Sequence, residues 1–292
     1  MSIILNSKRL KVEITEPGIE PNTTARFDRA GFISQVTLDN KYDFCTKEPD
    51  NLSHPCSGGV GLCNEYSLSK PADEAAIGRQ FPKLGVGLLT KDHEEYYFYY
   101  RYQCEPFEII YNKTDTSISF ETLPNPCMGY GAHHIKTISL NDNELIMTTS
   151  IKNTGSMDLI FDEYCHNFLT IENLPINENY YLSMPIVSQD EKTPLVGDSL
   201  IGSGSGFSYR KYSDEATIID VEKDEILTNQ TFNWKLTNKM SPAWVSEEVS
   251  IKPSKIRIWT IDHIISPEVI CSFKLAPEEK TSWTRKWTFD CN

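Results

Sequence analysis

The chain has 292 residues, of which 39% are apolar, 11% aromatic and 24% charged, a balance typical of a globular protein rather than a disordered one. Since no run approaches the roughly 18 to 20 apolar residues of a membrane helix, the sequence predicts no such segment. The formal net charge is −13, from 28 basic and 41 acidic residues. That charge repels phosphates, so neither nucleic acid nor a membrane is expected as a partner.

The N-terminus and the cysteines indicate the compartment. The first residues lack the basic region and the cleavage site of a signal peptide, so we expect a cytoplasmic protein, monomeric or weakly dimeric. Eight cysteines are scattered without a C-x-x-C pair, and we expect most of them to be buried free thiols. Their spacing predicts no zinc site, and nothing in the sequence indicates another metal or a cofactor.

Alternation of apolar and polar residues recurs almost from end to end, whereas helical periodicity is nearly absent. The first clear strand is 32–38, followed by one short helix at 72–77 and an aromatic run at 96–102 suited to a pleated surface. Strands 134–140 and 144–151 form a hairpin across a three-residue turn. Further strands are predicted at 159–165, 216–221, 231–236, 244–251, 256–261, 269–275 and 283–289.

These strands follow one another at intervals of roughly 8 to 12 residues, as in a sandwich or barrel. The glycine-rich loop 202–206 lacks the Lys-Ser/Thr of a phosphate-binding loop, so it does not indicate a nucleotide site. No linker or repeat divides the chain. The sequence therefore predicts one all-β domain over residues 1–292.

The histidines are the first candidates for chemistry. His133 and His134 are adjacent and point to opposite faces of a strand, so they do not form one metal site. The chain contains neither H-E-x-x-H nor G-x-S-x-G, which argues against a zinc protease and a serine hydrolase. His166 differs because it lies where a β-rich run meets polar residues. A lone histidine in that setting is more often structural than catalytic.

A series of short motifs surrounds His166. Gly129-Tyr130-Gly131-Ala132 precedes the hairpin, whose second strand opens with Asn143-Glu144-Leu145. Asn153-Thr154-Gly155 follows, and then Tyr164-Cys165-His166-Asn167-Phe168-Leu169. In order and spacing, this stretch of about forty residues resembles the aldose 1-epimerases of the galactose mutarotase-like superfamily.

A second match lies near the C-terminus, where Leu275-Ala276-Pro277-Glu278-Glu279 resembles the family's L-x-P-G-E turn before its last strand. The resemblance implies a β-supersandwich, largely antiparallel, that binds a free sugar. Interconversion of sugar anomers requires an acid for the ring oxygen and a base for the anomeric hydroxyl. The resemblance places the acid at His166, and histidine suits that role near neutral pH.

The family's base is a glutamate ahead of that turn, and two carboxylates of this chain lie there. We prefer Glu268 because it has the right side chain and leads into the strand 269–275. Asp262 closes the preceding strand and remains the alternative. The loop is shorter than in the best-known mutarotases, so the sequence does not decide between the two.

Sugar binding calls for polar groups and an aromatic platform, because sugars present apolar C–H faces ringed by hydroxyls. The family carries an arginine and a second histidine near 78–85, a segment without histidine in this chain. Candidates for substrate binding are therefore Arg79, Lys83, Asn64, His134, His263 and Trp259. A surface position is equally compatible with the sequence for Arg79 and Lys83. For His134 and His263 the sequence favours a structural role, and for Trp259 a position in the core is at least equally compatible.

Three functions agree with these observations. The first is an aldose 1-epimerase that acts through His166 and Glu268 on a small carbohydrate. A hexose-phosphate 1-epimerase would need a basic cluster for the phosphate, and the sequence offers only Arg79 and Lys83 as obvious members. A carbohydrate-binding or sensing protein of the same fold without turnover is the third, since fold does not determine function.

Overall fold

The computed structural model describes residues 2–18, 25–49, 57–190, 192–228 and 230–292. Cys56, one of the expected free thiols, lies outside these ranges. Seven cysteines within them are free, and four of these are buried. In the same ranges no helix is long and apolar enough to cross a membrane.

The architecture is almost entirely β. In chain order the strands are β1 (Ser2–Asn6), β2 (Leu10–Thr15), β3 (Phe32–Leu38), β4 (Tyr42–Asp43), β5 (Leu62–Ser67), β6 (Gln80–Lys83), β7 (Gly87–Thr90), β8 (Cys104–Pro106), β9 (Ile109–Lys113), β10 (Ser117–Thr122), β11 (Ala132–Asn141), β12 (Glu144–Asn153), β13 (Leu159–Asn167), β14 (Tyr180–Ser183), β15 (Leu200–Gly202), β16 (Gly206–Tyr209), β17 (Thr217–Glu222), β18 (Phe232–Asn238), β19 (Ala243–Val249), β20 (Lys255–Ile261), β21 (Ile264–Leu275) and β22 (Lys280–Cys291). One α-helix, α1 (Ser69–Glu74), and one 3₁₀ turn, Lys223–Glu225, complete the described elements.

Two large antiparallel sheets form the sandwich. Sheet A has the order β1-β2-β3-β5-β13-β21-β20-β17, with β4 paired to β3. Sheet B has the order β15-β16-β14-β18-β19-β22-β12-β11-β10-β9, and β6-β7-β8 form a small third sheet. The predicted all-β, largely antiparallel sandwich is confirmed.

The main apolar core lies between sheets A and B. Alternate residues of each strand point into it, as β12 illustrates with its regular alternation of half-buried and buried positions. Trp234 and Trp287 of sheet B and Leu62 and Val269 of sheet A are among its fully buried members. Removal of this apolar surface from water is the main stabilising contribution to the fold.

Several local predictions need correction. The helix begins at Ser69, three residues before the predicted start, and Pro71 is tolerated there because it lies in the first turn. The hairpin turn after Asn141 has two residues rather than three, with Asp142 at φ 53°. Strand β21 begins at Ile264, five residues earlier than predicted, because it forms a hairpin with β20.

The aromatic run 96–102 is not a strand. Its backbone turns back on itself, since the Tyr100 amide donates to the Tyr97 carbonyl and the Tyr97 amide donates to the Tyr102 hydroxyl. Tyr96 and Tyr102 pack against Phe81 in a separate apolar cluster beneath the small sheet. Burial of these rings outweighs the strand preference of the segment.

Candidate functional site

The site lies on one face of sheet A and is built from alternate residues of neighbouring strands. On β13, Tyr164 and His166 are two residues apart and therefore share a face. On β21, Ser266 and Glu268 do the same. In the antiparallel pairing of β13 with β21, the last pair is Glu163 opposite Cys271. Three residues beyond this pair, toward the C-terminus of β13 and toward the N-terminus of β21, lie His166 and Glu268.

Strand β20 brings two more side chains to this face. Arg257 lies directly opposite Glu268, and Trp259 directly opposite Ser266. Together these strands line a pocket of about 780 Å³. Its lining residues are Arg26, Glu48, Phe98, Tyr164, His166, Val196, Asp214, Glu215, Ala216, Ile218, Arg257, Trp259, Ile261 and Glu268.

His166 and Glu268 are in direct contact inside the pocket. The imidazole Nε2 lies 3.2 Å from Glu268 Oε1, closer than an acid and a base on opposite sides of a sugar ring would be. Ser266 Oγ lies 2.9 Å from His166 Nδ1 and also donates to Glu268 at 3.4 Å. The serine hydroxyl thus bridges both groups and orients the imidazole.

Aromatic packing fixes the plane of the His166 ring. Phe168 stacks on it at 3.9 Å with an interplanar angle of 4°. Trp259 approaches edge-on at 5.3 Å, and Phe27 does so from another side at 6.1 Å. The ring is therefore rigidly placed, with Nε2 directed at the carboxyl group of Glu268.

Burial changes the protonation of this pair. Desolvation raises the pKa of Glu268 to about 7, although Arg26 and Arg257 oppose the shift. Desolvation, with a further contribution from Arg26, lowers the pKa of His166 well below its usual value. With these shifts in pKa, His166 is neutral near pH 7 and Glu268 is the group that exchanges a proton.

Arg26 forms a second charged element of the pocket. Its Nε donates to Glu65 at 2.6 Å, and Nη2 donates to the Tyr164 hydroxyl at 3.1 Å. Its guanidinium also lies 4.1 Å from the ring centre of Phe98. Burial by itself would raise the pKa of Glu65, but Arg26 and Lys83 lower it, so Glu65 stays ionised.

Arg257 is held from the other side. Asp220 on β17 accepts from its Nε and Nη2 at 2.7 and 2.8 Å and from Lys255 at 2.7 Å. These contacts lower the pKa of Asp220 against the opposing effect of burial. Both pocket arginines are thus paired with carboxylates.

The two candidate bases occupy different environments. Glu268 lines the pocket and touches His166. Asp262 lies at the turn between β20 and β21, where its carboxylate accepts the Tyr212 hydroxyl at 2.6 Å and contacts His263 at 2.9 Å. The Tyr212 hydroxyl, more than any other contact, lowers the pKa of Asp262.

The other sequence candidates separate into two groups. Trp259 lines the pocket, and Lys83 lies behind it, where its ammonium donates to the Tyr66 carbonyl at 2.6 Å and to Glu65 at 3.4 Å. Asn64 points to the opposite face of sheet A, because it pairs with Cys165 and donates to Glu163. Arg79 is exposed beside the small sheet.

Neither additional histidine is among the described residues that line the pocket. His134 is buried on β11, 3.2 Å from the Tyr66 hydroxyl, and burial lowers its pKa to about 4. His263 lies at the β20–β21 turn, where its Nε2 is 3.2 Å from the Lys47 carbonyl.

Sequence reasoning missed several residues of the pocket. Tyr164, Ser266 and Arg257 lie two residues from His166, Glu268 and Trp259, so strand alternation would have found them. Arg26 and Phe98 lie in segments without periodicity, and no local signal marks them.

Comparison with known proteins identifies the fold. No protein-family model and no curated protein matches the sequence. Solved structures do match it along its whole length. The chain has the galactose mutarotase-like fold.

Three structures illustrate the likeness. A galactose mutarotase related enzyme from Lactobacillus acidophilus is 15% identical with a TM-score of 0.60, and the match covers 99% of this chain and 97% of that one. A galactose mutarotase-like protein from Lactobacillus casei is 11% identical with a TM-score of 0.57, covering 99% and 100%. A GalM/aldose epimerase homologue from C. elegans is 12% identical with a TM-score of 0.54, covering 100% and 99%. At these identities the likeness concerns the fold alone.

Proposed function

We propose that this chain interconverts the anomers of a free aldose by opening and reclosing the sugar ring. The observation that carries the proposal is the buried His166–Glu268 pair, 3.2 Å apart, at the wall of a pocket large enough for a sugar. The solved structures of the same fold named after aldose epimerases or mutarotases support it by analogy.

The pair suits this reaction because it holds one proton near neutral pH. In ring opening, one member takes the proton of the anomeric hydroxyl while the other protonates the ring oxygen, and the bond between the anomeric carbon and the ring oxygen breaks. After rotation of the resulting aldehyde, closure on its other face reverses both transfers. The pair ends with the single proton it began with, and no cofactor is consumed.

The resemblance assigned the acid to His166 and the base to Glu268. Burial raises the pKa of Glu268 and lowers that of His166, which favours Glu268 as the residue that carries the shared proton before the sugar reacts. We infer that the two residues exchange acid and base roles between the two half-reactions, so each acts once as donor and once as acceptor.

A hexose phosphate fits the pocket less well. The described lining contains two guanidinium groups and four carboxyl groups. Arg26 is already paired with Glu65, and Arg257 with Asp220, so a phosphate would meet no uncommitted cation among these groups. The charges favour an uncharged sugar.

The decisive experiment is polarimetry of freshly dissolved α-glucose, α-galactose and other aldoses with and without protein. We expect acceleration of anomer equilibration for at least one sugar. His166→Ala and Glu268→Gln should each lose about 10²- to 10⁴-fold in kcat, the usual contribution of a positioned acid or base.

Asp262→Asn is the matched control, because Asp262 lies at the turn between β20 and β21, is not among the described residues that line the pocket, and is partly exposed. It should retain the activity of the parent protein. An inactive Asp262→Asn together with a fully active Glu268→Gln would move the base to Asp262. Sugar binding by calorimetry without acceleration for any aldose would instead identify a non-catalytic sugar-binding protein.

A further inference from the structure

A strip of aromatic rings runs from the pocket wall onto the surface. The aromatic strip consists of Phe98, Tyr99, Tyr97, Tyr100 and His93. Phe98 lines the pocket, and successive ring centres are separated by 5.3, 5.4, 5.1 and 4.2 Å. The strip is therefore continuous with the candidate site.

The strip is anchored through Tyr102, whose ring centre lies 6.3 Å from that of Tyr100 and whose hydroxyl accepts from the Tyr97 amide. Tyr96 and Tyr102 stack on each other at 5.6 Å, and both pack edge-on against Phe81 of β6. Tyr97 is 36% exposed, and Tyr99 and Tyr100 are partly exposed. Rings that are fixed in this way lose little conformational freedom when a ligand packs on them.

The composition of the strip favours a glycan over an apolar protein partner. Tyrosine presents an apolar face to sugar C–H groups and a hydroxyl to sugar hydroxyls, whereas aliphatic side chains offer only the first contact. A volume of about 780 Å³ also exceeds what one hexose ring fills, and it lies in the upper part of the range of roughly 300 to 1,000 Å³ usual for ligand pockets.

We propose that the pocket takes the reducing end of an uncharged oligosaccharide, whose following sugar units lie along the aromatic strip. This inference rests on the proposed function, because the reducing end is the unit that His166 and Glu268 would open. The exposed carboxylates of Asp214 and Glu215 at the pocket favour uncharged sugars over acidic ones.

The test is calorimetric titration with maltotriose, cellotriose and xylotriose, compared with glucose and xylose. At least one trisaccharide should bind about tenfold more tightly than its monosaccharide. The double variant Tyr97→Ala/Tyr99→Ala should lose that advantage and leave the Kd for the monosaccharide unchanged within about twofold, because each ring contact accounts for a few-fold in affinity.

Two controls accompany the titration. Tyr97→Phe/Tyr99→Phe keeps the rings and should keep most of the advantage. An unchanged monosaccharide Kd in the alanine double variant excludes misfolding as the cause of its loss. Tyr111→Ala removes an equally exposed tyrosine from sheet B, where it packs on Phe120, and should have no effect on sugar binding.

Equal affinity for tri- and monosaccharides in all series, or an unchanged advantage in the alanine double variant, would overturn the inference. Self-association that disappears in the same variant would assign the strip to a second copy of the chain instead. Polarimetry separates the two proposals. Turnover of a monosaccharide without a trisaccharide advantage refutes the strip alone, and tighter trisaccharide binding without turnover of any sugar refutes the epimerase alone.

Discussion

Strand β13 has buried ionisable side chains on both of its faces, and the partners of these side chains differ between the two faces. Glu163 points between the sheets, where Arg285 donates to both of its oxygens at 3.0 and 2.8 Å and Asn64 donates at 2.6 Å. His166 lies on the other face of the strand. There the carboxyl group of Glu268 lies 3.2 Å from the His166 imidazole and accepts from the Ser266 hydroxyl at 3.4 Å.

The comparison shows that the effect of burial on a carboxyl group depends on the partners that the fold supplies. Both oxygens of Glu163 accept from a guanidinium group, and one of them also accepts from an amide, and a bidentate guanidinium contact of this kind is among the strongest pairings in proteins. Glu268 is equally withdrawn from water but receives weaker compensation, so its pKa rises to about 7. A proton acceptor poised near neutral pH is what acid–base catalysis needs.

The inner face should respond to a charge deletion with the largest loss of stability. Arg285→Met leaves Glu163 and Glu247 buried without their shared guanidinium, which contacts Glu247 at 2.7 Å. We expect the free energy of unfolding to fall by about 3–5 kcal/mol, measured by urea denaturation. Lys286→Met on the same strand, part of a half-exposed ion pair with Glu144, should change it by less than about 1 kcal/mol. Equal losses of unfolding free energy in the two variants would contradict the proposed difference between the two faces.

On the pocket face, removal of a carboxyl group should make the protein more stable relative to the parent as pH rises. The pKa of Glu268 is about 7 in the fold against 4.5 for the ordinary group, so wild-type stability falls as pH rises through that window. Glu268→Gln lacks this dependence. Relative to the parent, the variant should gain about 3 kcal/mol in unfolding free energy between about pH 4 and pH 8.

Paired denaturant titrations at the two pH values would measure this gain. Asp262→Asn is the control of opposite sign. Since the pKa of Asp262 is lowered, the variant should become slightly less stable than the parent as pH rises. A Glu268→Gln variant whose relative stability does not depend on pH would show that Glu268 is as well compensated as Glu163.

The rate should depend on the single proton of the pair. Above about pH 7 Glu268 loses that proton while His166 is already neutral, so kcat/KM should fall about tenfold per pH unit. On the acid side, kcat/KM should fall once His166 also becomes protonated, below its ordinary pKa. Polarimetry corrected for the spontaneous reaction measures both limbs. A rate that keeps rising through about pH 9 would contradict the shared-proton mechanism.

The smallest effect is expected at the serine that bridges the pair. Ser266→Ala removes the hydroxyl 2.9 Å from His166 Nδ1, and kcat should fall about 5- to 10-fold with KM unchanged, as for loss of one hydrogen bond. Ser266→Thr keeps the hydroxyl and should restore most of the rate. Ser272→Ala, at an exposed position on the same strand, is the control. A change in KM alone would make Ser266 a substrate-binding group rather than a positioning residue.

Much of the fold was predictable because strands record their environment locally. The alternation in 134–140 and 144–151 corresponds to β11 and β12, since one face of each strand is buried against the core. The run 96–102 has the same β-forming residues without being a strand. Tyr96 and Tyr102 of this run pack against Phe81 of the small sheet, and local sequence does not encode that contact.

The site was predictable only in part, for the same reason. The residues around His166 and the carboxylates ahead of the C-terminal turn could be selected from motif order, and strand alternation implies Tyr164 and Ser266 as their neighbours. Arg26 enters the pocket from a segment more than a hundred residues before His166, and Phe98 from a loop. Their positions depend on the order of strands in sheet A and on how the small sheet packs.

The sequence by itself determined which side chains of a strand share a face, because the side-chain period of two is a local property of the backbone. The tertiary structure alone decided which strands lie side by side, and hence that β13 and β21 bring His166 within 3.2 Å of Glu268. It also decided the protonation of the pair. A pKa depends on how much water and how many partners surround a group, and residues from distant parts of the chain supply both.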